Sequence, residues 1–255
     1  MTSSIKCHIN KIPQITAAFW IMKIAATTLG ETAGDLLSMT MNVGYAISSL
    51  ILVSAFLISV SLQLLSIKYN PLLYWAVILT TSTAGTTMSD YMDRSLKLGY
   101  PVGTGILIVM LLTTLVIWRT TMGSLSIDHI NNRKLEVFYW TAILFSNTLG
   151  TALGDFLADS SGLGFVGGAA LIGSLLLLVL IATFITQISR IALFWIAFVL
   201  TRPFGATVGD YLTKSKEHGG LNLGTIGSSL ALLSVLIIFV SRSILSKNLK
   251  LDTRE

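Results

Sequence analysis

WIMKIAATTLGETAGD (Trp20–Asp35) recurs three times in this chain, as WAVILTTSTAGTTMSD (Trp75–Asp90), WTAILFSNTLGTALGD (Trp140–Asp155) and WIAFVLTRPFGATVGD (Trp195–Asp210). Each copy sets a tryptophan fifteen positions before an aspartate. A glycine stands five before each aspartate (Gly30, Gly85, Gly150, Gly205), and a small residue stands immediately before it (Gly34, Ser89, Gly154, Gly209). Another glycine follows by nine (Gly44, Gly99, Gly164, Gly219). Self-similarity at a fixed period decides the architecture before any single residue is read. It also puts carboxylates inside apolar segments, where they are costly and usually functional.

Hydrophobic residues make up 53% of the 255 positions and charged residues only 11%, against about 25% charged in soluble domains. Mean hydropathy is +0.78. The length therefore counts membrane spans rather than a soluble core. The net charge of +5 sits on bases at segment ends, so no nucleic-acid partner is expected. Cys7 is the only cysteine, which excludes a disulfide within the chain. His8, His129 and His218 lie outside the apolar segments, so no histidine metal site is expected in the membrane. Lys6 and Lys11 before an apolar run mimic a signal peptide. The run from Pro13 to Asp35 carries the internal repeat, however, and is read as structure.

Each repeat holds two apolar stretches of helical length, too long and too unbroken for strands. First helices are expected near 14–37, 72–93, 137–158 and 191–213, and second helices near 45–67, 100–119, 164–187 and 222–244. The expected fold is all-α: a polytopic membrane protein of about eight transmembrane helices built from four parallel helical-hairpin repeats. Consecutive tryptophans lie 55, 65 and 55 positions apart, which points to a duplicated pair. The division is an N-terminal segment 1–12, a first half 13–118, a loop 119–136, a second half 137–246 and a tail 247–255. Lys6, Lys11, Lys68, Arg119, Arg133, Lys134, Arg190, Arg242, Lys247, Lys250 and Arg254 fall on one side. Arg94, Lys97, Lys214 and Lys216 fall on the other. The positive-inside rule then puts 1–12, 119–136 and the tail in the cytoplasm and the aspartates toward the outside.

Stepping back four residues at a time follows one helix face. The rows read Lys23, Thr27, Glu31, Asp35; Ile78, Ser82, Thr86, Asp90; Ile143, Asn147, Thr151, Asp155; and Phe198, Arg202, Ala206, Asp210. Three residues before the aspartates stand Thr32, Thr87, Ala152 and Thr207. Such rows cannot face lipid, so they are expected to converge on a shared interior. The small residues at a spacing of four let the backbones approach. Carboxylates drawn together in low dielectric, at negative helix ends, favour a bound cation or a retained proton. The cation- or proton-binding set is Asp35, Asp90, Asp155, Asp210 and Glu31, with the four aspartates as candidate metal ligands. Thr27, Thr32, Thr86, Thr87, Asn147, Thr151 and Thr207 support them, and Lys23 and Arg202 balance charge. Arg202 lies about one turn deeper than Glu31, so a Glu31–Arg202 ion pair is expected. Pro203 is expected to kink its helix.

Plainer readings stand beside these. Each aspartate could cap the following helix. The tryptophans read as interfacial anchors on the cytoplasmic side. Asp93, Arg94, Asp159, Lys214 and Glu217 read as a solvated rim, Asp128 and His129 as loop residues, and Lys23 as a neutraliser of a carboxylate on another helix.

The stretch Pro13-Gln14-Ile15-Thr16-Ala17-Ala18-Phe19-Trp20, leading to Gly30-Glu31-Thr32-Ala33-Gly34-Asp35, resembles the opening of a family of bacterial membrane proteins built on a four-fold repeat of unknown function. The resemblance covers nearly the whole chain, although repeat three has Ala152 where the others have threonine. It implies a bacterial inner-membrane protein and supplies no catalytic residues.

The function expected from the residues is transport of a cation, either a hard divalent metal ion or one coupled to protons, across the lipid bilayer. Oxygen ligands suit hard cations. One alternative is a channel with an aspartate ring as filter; another is a non-transporting protein with structural acids. No HExxH, GxSxG, CxxC or P-loop occurs, so neither an enzyme nor a cofactor is expected. Substrate identity, direction of transport and oligomeric state are not read from the sequence.

Overall fold

The computed structural model describes residues 11–127, 130 and 132–252, the last seven as backbone only. Lys6, Cys7, His8, Asp128, His129 and Arg254 lie outside the described residues, as do the side chains of Lys247 and Lys250. Eight α-helices follow in order among the described residues: α1 (Ala17–Asp35), α2 (Tyr45–Leu65), α3 (Pro71–Asp90), α4 (Tyr100–Met122), α5 (Arg133–Asp155), α6 (Gly164–Ile185), α7 (Arg190–Thr213) and α8 (Thr225–Asp252). The helices enter the segment 119–136 from both ends, so it is shorter as a loop than its polarity suggests.

Side-chain caps start three of the four first helices. The Thr16 hydroxyl accepts from the Phe19 amide at 3.3 Å. Asn70 accepts from the Leu72 and Leu73 amides, with Pro71 in the first turn, and Asn132 accepts from Lys134. These caps satisfy amides that a helix start leaves open. At their far ends α1, α3 and α5 pass directly into wider π-turns, Leu36–Thr40, Tyr91–Ser95 and Phe156–Ser160. The fourth repeat instead extends α7 to Thr213, and α7 stays one helix through Pro203. The glycines nine residues past each aspartate then reverse the chain. Gly44, Gly99, Gly164 and Gly219 all have φ between 66° and 80°, a region that L side chains rarely adopt.

The helices α1, α3, α5 and α7 form an inner ring, each packed on the next, with α7 closing on α1. The outer helix of each repeat packs mainly on the inner helix of the following repeat: α2 on α3, α4 on α5, α6 on α7, and α8 back on α1. The hairpins are therefore interlocked rather than self-contained. The repeated glycines make the ring possible. A Cβ on Gly30 would strike Ser82, on Gly85 the Thr148 amide (2.9 Å), on Gly150 Arg202, and on Gly205 Thr27. Each glycine meets the next inner helix at the corresponding level.

Five described helices, α2, α4, α6, α7 and α8, are long and apolar enough to cross a membrane. The helices α1, α3 and α5 are comparable in length, but they carry the polar rows and lie inside the sheath. Only 11% of the apolar window of α2 and 17% of that of α6 is buried, and Leu50, Leu62, Leu178, Ile181 and Leu230 are exposed along the outer helices. That surface matches lipid. By helix length and hydropathy this is a multi-pass membrane protein.

Candidate functional site

The inner ring stacks its side chains in layers one four-residue step apart, about 6 Å per step. The deepest layer, sixteen residues before the aspartates, is aromatic in all four repeats: Phe19, Tyr74, Tyr139 and Phe194. The Tyr74 and Tyr139 hydroxyls are 2.6 Å apart. The repeated tryptophans lie beside this layer, with Trp75, Trp140 and Trp195 buried and Trp195 donating to the Leu125 carbonyl. Trp75, Trp140 and Trp195 are interior packing residues and not lipid-facing anchors, whereas Trp20 is half-buried with its ring 5.9 Å from that of Phe194.

Above this floor come Lys23, Ile78, Ile143 and Phe198, all fully buried. The Lys23 ammonium sits 4.0 Å from the Phe198 ring centre and donates to Asn147 Oδ1 at 3.4 Å. Among the described residues no carboxylate lies within 4.0 Å of it, so it does not neutralise an acid on another helix. Asn147 in turn donates to Thr81.

Arg202 starts one level higher and reaches up into the layer of Glu31, Thr86 and Thr151, where its own helix offers only Ala206. Its Nη1 meets Glu31 Oε2 at 3.0 Å. Its Nη2 donates to the Thr86 and Thr151 hydroxyls, both at 2.6 Å. Those hydroxyls donate onward to the same Glu31 oxygen at 3.3 Å. The expected ion pair is present, and each inner helix contributes one member to its network.

The aspartate layer is divided. Asp35 and Asp210 share the Lys214 ammonium, at 2.6 and 3.1 Å. Asp90 and Asp155 share the Arg94 guanidinium, at 3.0 and 3.1 Å. Arg94 and Lys214 are thus not rim charges. Burial works against the Lys214 ammonium, but Asp210 and Asp35 outweigh it and hold the group protonated beyond the ordinary lysine range. Arg94 is also bracketed by the Tyr45 and Tyr100 rings, each 5.9 Å from its guanidinium carbon. Asp93 leaves the rim as well. It is buried, accepts from the Ser89 hydroxyl at 3.4 Å, and packs on Gly103 where any Cβ would collide with it. Burial pushes its carboxyl up to about 6.

Oxygens of Glu31, Asp35 and Asp210 lie within 4.8 Å of one another, the one trio of acids so placed among the described residues. Thr27 bonds backbone carbonyls, including that of Thr201 on α7. Thr32 faces α8, where Ser229 donates to it at 2.8 Å. Thr87 and Thr207 bond carbonyls of their own helices. The threonines three residues before the aspartates therefore lie off the axis, outside the cluster.

Arg94 and Lys214 each stand four residues after an aspartate, one further step along the same face. The equivalent residues of repeats one and three are Met39 and Asp159. All four of these residues line a pocket of about 370 Å³ at the mouth of the bundle.

The family described as Repeat of Unknown Function (DUF347) matches residues 18–69, 73–124, 138–189 and 193–248. The chain belongs to this family. No curated protein and no solved structure matches it. The DUF347 boundaries follow the hairpins, each match starting in the first turns of an inner helix, the first three ending just after the outer helix and the fourth within α8. The cross-repeat interlocking therefore joins one DUF347 unit to the next.

Proposed function

We propose that this protein is a cation carrier whose cargo, a hard divalent metal ion or a cation exchanged for protons, binds at the buried carboxylates below the mouth pocket. The convergence of Glu31, Asp35 and Asp210 oxygens within 4.8 Å carries the reading. Oxygen-only ligands of this kind suit hard cations. Fully ionised, Glu31 and the four aspartates pair with three cations, Arg94, Arg202 and Lys214, so the cluster retains an excess of negative charge. Buried charges of this sort are expensive in a membrane and mark ion or proton paths.

The filled axis favours a carrier over the alternative, a channel. Lys23, Ile78, Ile143, Phe198 and the aromatic floor occupy the line that an open pore would need, and the aspartates are bridged in pairs rather than arrayed as a free ring. The distribution of bases favours an orientation with the mouth pocket outside and both ends of the chain inside, and the membrane of this reading is the bacterial cytoplasmic membrane that the family resemblance implies.

The test is flux of Mn²⁺, Mg²⁺ and Ca²⁺ into proteoliposomes, with and without a pH gradient. Saturable uptake is expected, reduced at least tenfold by Asp35→Asn or Asp210→Asn. Undiminished flux in these variants makes the acids structural, and a non-saturating current makes the protein a channel.

A further inference from the structure

The geometry points to Lys214 as a tethered stand-in for the cargo: its ammonium occupies the cation position between Asp35 and Asp210 and must swing out into the mouth pocket when a divalent cation enters. This inference rests on the transport reading above and assigns a gate to that same site.

Three observations single out this half of the mouth. Glu31 joins Asp35 and Asp210 within 4.8 Å, whereas among the described residues the Asp90–Asp155 pair has no third acid so placed. Asp210 is 4% exposed, and the partner of its Oδ1 is the Lys214 ammonium 3.1 Å away. A buried carboxylate compensated by one displaceable cation can exchange it for another without being left uncompensated. The third observation is mobility by construction. Lys214 is a point charge on a flexible four-carbon stem. Its ammonium touches the two carboxylates and, more weakly, the Met39 sulfur at 3.8 Å, and it borders the mouth pocket. Arg94, by contrast, is held between two tyrosine rings.

The backbone of Lys214 stays fixed while the side chain moves. Its amide donates to the Asp210 carbonyl at 2.8 Å, and its carbonyl accepts from Asn222 at 2.9 Å. Gly220 packs so closely on that carbonyl that a Cβ would overlap it. Only the stem is free to rotate. The singly charged ammonium gives way to a doubly charged ion that all three carboxylates ligate, and it returns when the ion leaves. The site is therefore never left with uncompensated acids, which buried carboxylates tolerate poorly.

The test uses the full chain in lipid nanodiscs with Mn²⁺ as the probe, bound ion being read from loss of the free Mn²⁺ paramagnetic signal. Lys214→Met is expected to tighten Mn²⁺ binding at least tenfold, and Lys214→Arg to weaken it by a similar factor. In the unmodified protein, Mn²⁺ is expected to accelerate acylation of Lys214 by a water-soluble amine reagent several-fold, located by peptide mass spectrometry. Mn²⁺ binding that is lost in Asp35→Asn, together with unchanged acylation and no tightening in Lys214→Met, overturns the gate and leaves the transport reading standing. Binding by Lys214→Met alone supports the gate as a lock on a latent site. Absence of Mn²⁺ binding in every form removes both.

Discussion

Removing one partner of the Glu31–Arg202 pair is expected to cost far more than removing both. The charges lie 3.0 Å apart, with side chains 4% and 0% exposed. At an effective dielectric of about 20, this separation corresponds to about 5–6 kcal/mol of attraction. Breaking a buried pair from one side typically costs about 3–5 kcal/mol, because the survivor keeps its desolvation cost and loses its compensation. Glu31→Gln strands the guanidinium with the Thr86 and Thr151 hydroxyls. Arg202→Met strands the carboxylate with two long hydroxyl contacts. Each single variant should therefore lose about 3–5 kcal/mol, near the upper end for Arg202→Met because four hydrogen bonds disappear with the charge. Glu31→Gln with Arg202→Met restores neutrality and should lie within about 1–2 kcal/mol of the parent. The assay is reversible unfolding by SDS titration in bicelles, followed by tryptophan fluorescence. A double variant no more stable than its weaker single parent refutes the argument that the two charges compensate each other. The charge swap Glu31→Arg with Arg202→Glu should recover less, since the Arg202 stem lies over Gly150 and the swapped stem would start beside α7 instead.

Two other perturbations separate ring packing from charge. Gly85→Ala places a Cβ 2.9 Å from the Thr148 backbone amide, so α3 and α5 must part, at a cost of about 1–3 kcal/mol; Gly105→Ala, with open space around it on α4, should stabilise by about 0.5–1 kcal/mol, and equal effects in the same unfolding assay would contradict the ring packing. The Asp93 carboxyl, raised to about 6 by burial, takes up protons on folding; its contribution to stability is full below the unfolded value near 3.9 and is lost as pH rises through about 6. Melting temperatures of Asp93→Asn and the parent should converge in relative terms below pH 4 and diverge in favour of the variant by pH 7; parallel curves across that range would rule this out.

The four-fold repeat carried most of the architecture because it records the same packing problem solved four times. Face-stepping from each aspartate placed Glu31, Thr86 and Thr151 in one layer with Arg202 one step deeper, and that offset between Glu31 and Arg202 was enough to foresee their pair. The same stepping halts too early when it ends at the aspartates. The chain continues in helical geometry past Asp35, Asp90 and Asp155 into the π-turns, so one further step reaches Arg94 and, in repeat four, Lys214. Their charge alone made them look like solvated loop residues. Thr32, Thr87 and Thr207 were grouped with the site by sequence proximity, but three residues turn a helix by about 300° and aim them away from the axis. The tryptophans looked like interfacial anchors because their amphipathic character suits that place. Periodicity does not reveal that each outer helix crosses to the next repeat, nor that Trp75, Trp140 and Trp195 are buried.

That crossover also sets the order in which the protein can be finished as it leaves the ribosome. The helix α1 enters the bilayer carrying Lys23, Glu31 and Asp35, but the compensating Arg202 emerges 171 residues after Glu31, and the covering helix α8 comes last of the eight. Until then the first hairpin has neither its counter-charge nor its lipid shield. The earliest part of the chain is thus the last to become stable in the membrane, and its polar face is what an insertase or a membrane protease would meet on every unfinished copy.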